Sequence, residues 1–166
     1  GTNAKDVPHL PVVNAFAERA KQGGTKVVMA SADAEMGRKR TAVQQLIAAY
    51  RNVGARWADL DPLKRTERDK IPELEPSFYG FSDADQEAVF NTSNTFFGKE
   101  SMSLRELMNA LRETYCGTIG AEYMYITDQN QKRWWQQKLE SIRSKPQFTA
   151  EKKLHILDRL TAAEGL

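Results

Sequence analysis

One cysteine, two histidines and no apolar run of membrane-spanning length set the first limits on this chain. A lone Cys116 excludes an internal disulfide framework and fits a reducing compartment. With no stretch near the roughly 20 apolar residues of a bilayer span, a soluble intracellular protein is expected. Charge of one sign is missing too: 24 basic and 22 acidic residues are interspersed and leave a net +2, which argues against nucleic-acid or membrane-surface partners. There is no internal repeat, no low-complexity segment and no strand-helix alternation of the kind that builds a parallel sheet. Gly1 at the start points to a trimmed chain, so targeting signals are not read either way.

What is present is helical periodicity. The chain is long enough, and its 40% hydrophobic content high enough, for one globular core without staples. Two prolines and the Gly23-Gly24 pair make residues 1–31 read as a flexible tether holding one marginal helix, PVVNAFAERAK. Ser31 offers a cap, and Val43, Leu46, Ile47, Tyr50, Val53 and Trp57 then recur at offsets of three and four, predicting a long helix that ends near Asp61-Pro62. Ser82 is expected to cap a short helix over DADQEAVF, and Ser103 with Glu106 forms a capping box before LRELMNALRETY. Thr127 or Asp128 caps QNQKRWWQQKLE, and Thr149 caps EKKLHILDRLTAAEG with Leu154, Leu157 and Leu160 expected to face inward. Only TKVVMA, and less so EYMYI, has strand-like composition. The fold class expected is all-α, an irregular helical bundle over residues 32–166 behind a partly disordered amino-terminal tether.

Catalytic residue sets are scarce. His9 and His155 stand far apart and read as surface residues, and Cys116 reads as a small buried hydrophobe rather than a nucleophile. The glycines of CGTIGAE lack the lysine-serine ending of a phosphate loop, so Gly117 and Gly120 read as sites of a bend or close packing. The carboxylate pairs Glu73/Glu75 and Asp59/Asp61 border prolines and belong in solvated turns. The doublet Trp134-Trp135 after Lys132 and Arg133 suggests two readings. As a basic-aromatic grip it would make the chain a free-standing helical adaptor for a protein partner or single-stranded nucleic acid. Helical geometry instead turns adjacent residues about 100° apart, placing Trp135 on a buried stripe with Leu139 and Ile142 while Trp134 closes the edge near Lys138. No catalytic, cofactor-binding or metal-ligating residue is assigned.

Three stretches carry a family resemblance. LIAAYRNVGARWADLDPL, then NTFFGKESMSLRELMNALRETYCGTIGAEYMYITDQNQKRWWQQKLE, and the closing LTAAEGL resemble the amino-terminal helical region of the first component of 2-oxoglutarate dehydrogenase. The likeness runs from Val43 to Leu166 and only loosely covers the tether. Ala55 stands where that family commonly has histidine, Lys64 where glycine is common, and Trp135 where an aliphatic residue is usual; Trp134 matches the shared tryptophan.

The resemblance implies a parent enzyme of the tricarboxylic acid cycle. That enzyme uses thiamine diphosphate and magnesium to decarboxylate 2-oxoglutarate, then passes the succinyl group to the lipoyl arm of a dihydrolipoyl succinyltransferase core in a multienzyme complex. Its glycine-aspartate-glycine motif, downstream asparagine and catalytic histidines match nothing here, so no cofactor is expected in this stretch. Its expected partners are its own catalytic core and a homodimer mate, with contacts to the succinyltransferase made by segments outside it. The stretch alone is expected to be inactive. Whether the substrate is 2-oxoglutarate or the one-carbon-longer 2-oxoadipate stays open, since the pocket lies in the catalytic core.

Overall fold

The computed structural model describes residues 9–65 and 67–165, and side chains within 11–19, 33–65 and 67–165. Four α-helices dominate these residues: α1 (His9–Val53), α2 (Leu104–Tyr115), α3 (Gln129–Glu140) and α4 (Ala150–Glu164). Short 3-10 turns at Gly54–Trp57, Pro72–Leu74, Pro76–Tyr79 and Asp83–Asp85 fill much of the connection from α1 to a two-stranded sheet, β1 (Val89–Asn91) and β2 (Ser101–Ser103). The chain is mostly helical, as its periodicity predicts. It divides into two compact units, Gly1–Ala42 and Val43–Leu166.

In the first unit the helix runs straight through Ser31, which is therefore not a cap. An i,i+4 pair, Lys39 with Glu35 at 3.2 Å, supports it, and Val12, Val13 and Phe16 stand exposed on it. Residues 1–8 of the expected tether, and the side chain of His9, lie outside the described residues.

The second unit holds the core. Val43, Leu46, Ile47 and Tyr50 are buried in α1 at the spacing of one helix face, and Leu104, Leu107, Met108, Leu111 and Tyr115 are buried in α2. Each buried leucine or isoleucine contributes roughly 1.5–3 kcal/mol of transfer free energy. The first helix ends at Val53, earlier than its periodicity suggests, because the chain tightens into a 3-10 turn where it meets the end of α2. Gly54 makes that approach feasible: a Cβ there would lie 2.7 Å from the Tyr115 Cβ.

α2 begins as predicted. The Ser103 side chain accepts from the Glu106 N–H at 3.2 Å, and the Glu106 carboxylate accepts from the Ser103 N–H at 3.3 Å. Two more free donors of its first turn, the N–H groups of Leu104 and Arg105, reach the carbonyls of Ala88 and Gln86 at 3.0 Å each.

The expected helix over DADQEAVF is corrected. Ser82 and Asp85 do form a reciprocal capping box, but only one 3-10 turn follows before the chain extends into β1. β1 pairs antiparallel with β2, Phe90 opposite Met102, and both are buried while their strand neighbours are not. Leaving the helix lets Phe90 reach Phe81 edge to face at 5.7 Å between ring centroids. Neither TKVVMA nor EYMYI is a strand.

Lys64, at the position where the resembled family has glycine, adopts φ 53°, the left-handed conformation that glycine takes freely. The turn is kept with help from its neighbours: the Asp61 carboxylate accepts from the N–H of Leu63 at 3.0 Å and of Arg65 at 2.6 Å, and Lys64 pairs with Asp59. Ala55 lies half-buried in the 3-10 turn, its carbonyl accepting from the Ala58 N–H. Asp59 and Asp61 are half-buried and serve the turn at Lys64, while Glu73 is exposed.

Candidate functional site

Helix α3 is capped by Asp128, whose side chain accepts from the N–H groups of Asn130 and Gln131 at 2.8 and 3.2 Å. Its packing reverses the expected one. Glu140 is its one fully buried residue, with Lys132, Gln136, Leu139 and Arg143 half-buried around it, so the helix turns a largely polar stripe toward the core. Trp135 and Ile142, expected inside, are 41% and 47% exposed, and Trp134 is 50% exposed. Of the expected stripe only Leu139 is half-buried, beside the fully buried Glu140.

The grip on Glu140 is a polar node that sequence reasoning missed. Arg51 of α1 donates through Nε to Glu140 Oε1 at 2.8 Å and brings Nη2 to 2.7 Å from the same oxygen. The Tyr115 hydroxyl donates to Oε1 at 2.6 Å, the Phe96 N–H donates to Oε2 at 2.8 Å, and the Tyr123 hydroxyl lies 3.1 Å from that of Tyr115. Arg51 Nη2 also donates to the Asn94 carbonyl at 3.1 Å, tying in the loop before β2. The node joins α1, α2, α3 and two loops.

Burial works against the Arg51 cation, yet the Glu140 carboxylate beside it holds the guanidinium above its ordinary range. Burial, followed by the Glu140 charge, keeps the Tyr115 hydroxyl protonated well beyond the tyrosine range. Every part of this node has a partner inside the protein, which makes it a clamp rather than a reactive site.

The tryptophan doublet is used internally as well. The two rings meet edge to face at 5.1 Å, Lys138 sits 5.5 Å from the centre of the Trp134 ring, and Arg133 lies over Phe96 at 5.2 Å. The expected reach of Trp134 to Lys138 is present, and with Arg133 on Phe96 the basic-aromatic grip is not favoured. Trp135 and Leu139 instead border an apolar cleft of about 260 Å³ with Ile119, Tyr123 and Ile126.

A larger polar cavity of about 580 Å³ is bordered by Glu75, Asp83, Arg105, Asn109 and Arg112. Its cations are engaged: Arg112 lies 3.5 Å from Glu75 and donates to the Tyr50 hydroxyl, and Arg105 donates to Glu87.

Cys116 is half-buried at the end of α2, near the Gly54 carbonyl, and burial pushes its thiol up to about 11, as suits an inert packing residue. His155 is exposed. Gly117 follows the end of α2 and its carbonyl accepts from the Asp59 N–H at 2.8 Å, while a Cβ on Gly120 would lie 3.0 Å from Leu60. Among the described residues no group of three or more His, Cys, Asp or Glu could hold a metal ion, and no helix is long and apolar enough to cross a membrane.

α4 departs furthest from expectation. Thr149 caps it as predicted, accepting from the Lys152 N–H at 3.3 Å, but Leu154, Leu157 and Leu160 are 67%, 59% and 63% exposed rather than inward. None of its residues is buried.

Fold and surface together define an α-helical packing unit, clamped internally by polar contacts and presenting apolar helix faces outward. No family model matches the chain. It is 70% identical over 166 residues, its whole length, to the 2-oxoglutarate dehydrogenase E1 component of Cupriavidus necator. It is 43% identical over 163 residues to the protein of that name in Azotobacter vinelandii and 40% over 167 residues to the one in Haemophilus influenzae. The chain spans 17–18% of the length of these relatives, at their amino-terminal end. It is thereby identified as an amino-terminal stretch of the 2-oxoglutarate dehydrogenase E1 kind.

Proposed function

We propose that this chain is the amino-terminal helical region of the first component of a bacterial 2-oxoglutarate dehydrogenase complex, a structural part of the subunit with no turnover of its own. The observation that carries this reading is the 70% identity along all 166 residues to a relative of that name. The parent subunit decarboxylates 2-oxoglutarate in the cytoplasm with thiamine diphosphate and magnesium, and delivers the succinyl group to the lipoyl arm of a dihydrolipoyl succinyltransferase.

The residues present do not fit that cofactor. A magnesium-bound diphosphate takes oxygen donors such as clustered carboxylates, and no group of three or more His, Cys, Asp or Glu is gathered among the described residues. The carboxylates near the core are engaged elsewhere, Glu140 in the polar node and Asp85 in the capping box of Ser82. In this reading the cofactor site belongs to the remainder of the subunit, and this region supports that remainder and its dimer. Holding fixed positions for other parts of a subunit is a task the clamp around Glu140 suits, since it locks three helices with no free valence.

The test has two arms. The parent reading frame, expressed whole, is assayed for 2-oxoglutarate decarboxylation with thiamine diphosphate and magnesium present, and turnover is expected. The 166-residue chain alone is titrated with the same two ligands by calorimetry, where tight binding would overturn the structural assignment.

A further inference from the structure

The chain's last helix is built to be enclosed and is bare. At 100° per residue, Leu154, Leu157, Leu160 and Ile156 fall within about 160° of α4, an arc that also holds Lys153 and Thr161. Glu151, His155, Asp158 and Arg159 occupy the opposite side. All four apolar residues are exposed, Ile156 the least at 38%. An isolated helix of this length is marginal in water, and α4 is held at its start by the Thr149 cap and Glu151 in its first turn. More than four-fifths of the length of each of these relatives lies outside the stretch that matches this chain.

We infer that α4 packs its leucine face against an apolar surface of the carboxy-terminal part of the same subunit, and so anchors the helical unit to the remainder. The inference rests on the parent reading proposed above. A chain segment that follows α4 directly also meets it at a high effective concentration, so a helix of modest apolar area suffices.

Hydrogen exchange tests this on the full-length subunit beside the 166-residue chain. The amides of α4 should exchange fast in the short chain and at least roughly a hundredfold slower in the full subunit. Leu157→Glu with Leu160→Glu in the full subunit should abolish that protection while α2, the internal control for folding, stays protected; Lys152→Glu on the polar side should leave both unchanged. Equal α4 exchange in the two proteins would overturn the inference. So would protection in the short chain that rises with its concentration, since a second copy would then be the occupant. Turnover of 2-oxoglutarate by the same full-length preparation separates the two claims. Protection without turnover keeps the docking and removes the substrate assignment, and turnover without protection does the reverse.

Discussion

Glu140→Ala in the 166-residue chain tests whether the polar node holds the fold together. The substitution leaves the Arg51 guanidinium, 10% exposed, without its counter-charge, and strips the Phe96 N–H and one bond of the Tyr115 hydroxyl of their acceptor. Removing one member of a buried pair costs about 3–5 kcal/mol, a large part of the roughly 5–15 kcal/mol that holds a domain folded. For a unit of this size that corresponds to a midpoint lowered by roughly 10–15 °C, read by circular dichroism on heating and by urea titration. Glu140→Gln keeps an acceptor and loses the charge, so its cost should be smaller, about 1.5–3 kcal/mol. Arg51→Met combined with Glu140→Met removes both charges together and should recover much of the loss, as buried pairs replaced by apolar groups often do. A Glu140→Ala chain within about 1 kcal/mol of the unaltered one would refute the reasoning, and would mean that α3 is held by something other than the node.

Other perturbations follow from single contacts. Gly54→Ala drives a Cβ against the Tyr115 Cβ, a fixed part of that residue, and should cost about 1–3 kcal/mol in urea unfolding. Ser144→Gly should instead stabilise by about 1 kcal/mol, because Ser144 holds φ 52° and buries an unpartnered hydroxyl; a lower urea midpoint would contradict this. The Cys116 thiol should react with a disulfide reagent at pH 8 at least about tenfold more slowly than free cysteine, and as fast as free cysteine once urea unfolds the chain. Alkali should destabilise the fold. Burial raises Cys116 from 9.0 to about 11 and Tyr50 from 10.0 to about 12, so the unfolded chain loses these protons first. Stability is then full below pH 9 and falls as pH climbs toward 12, with Cys116→Ala flattening the first part of the decline.

The apolar periodicities were legible from sequence, and the direction each helix faces was not. Val43, Leu46, Ile47 and Tyr50 could be placed in the core because spacing and burial coincide there. In α4 the same spacing gave a stripe that is exposed, and of the stripe expected on α3 Trp135 and Ile142 are exposed while Leu139 is half-buried. Spacing reports that a face must be covered, and is silent on whether the cover lies within the same stretch of chain. The node around Glu140 was invisible for another reason. Its members at 51, 96, 115, 123 and 140 share no local motif, and a glutamate in a helix looks like any solvated one until tertiary contacts bury it. β1 and β2 escaped because three residues are too few to show alternation. Lys64 was legible in reverse, since a lysine where the resembled family has glycine draws attention to a turn whose left-handed φ it retains.

These two blind spots have one physical origin and imply an order of events. A stretch that spends its apolar side chains on outward faces must hold its helices with something else, and here that is hydrogen bonds and charge at one point. α1 and α2 share the apolar core, α3 adds to it little besides Glu140, and α4 buries nothing. Local opening in the short chain should therefore run backwards from the carboxy-terminal end: α4 frays with little cost, α3 releases when the node breaks, and α1 with α2 opens only on global unfolding. Covering α4 removes the first step of that sequence.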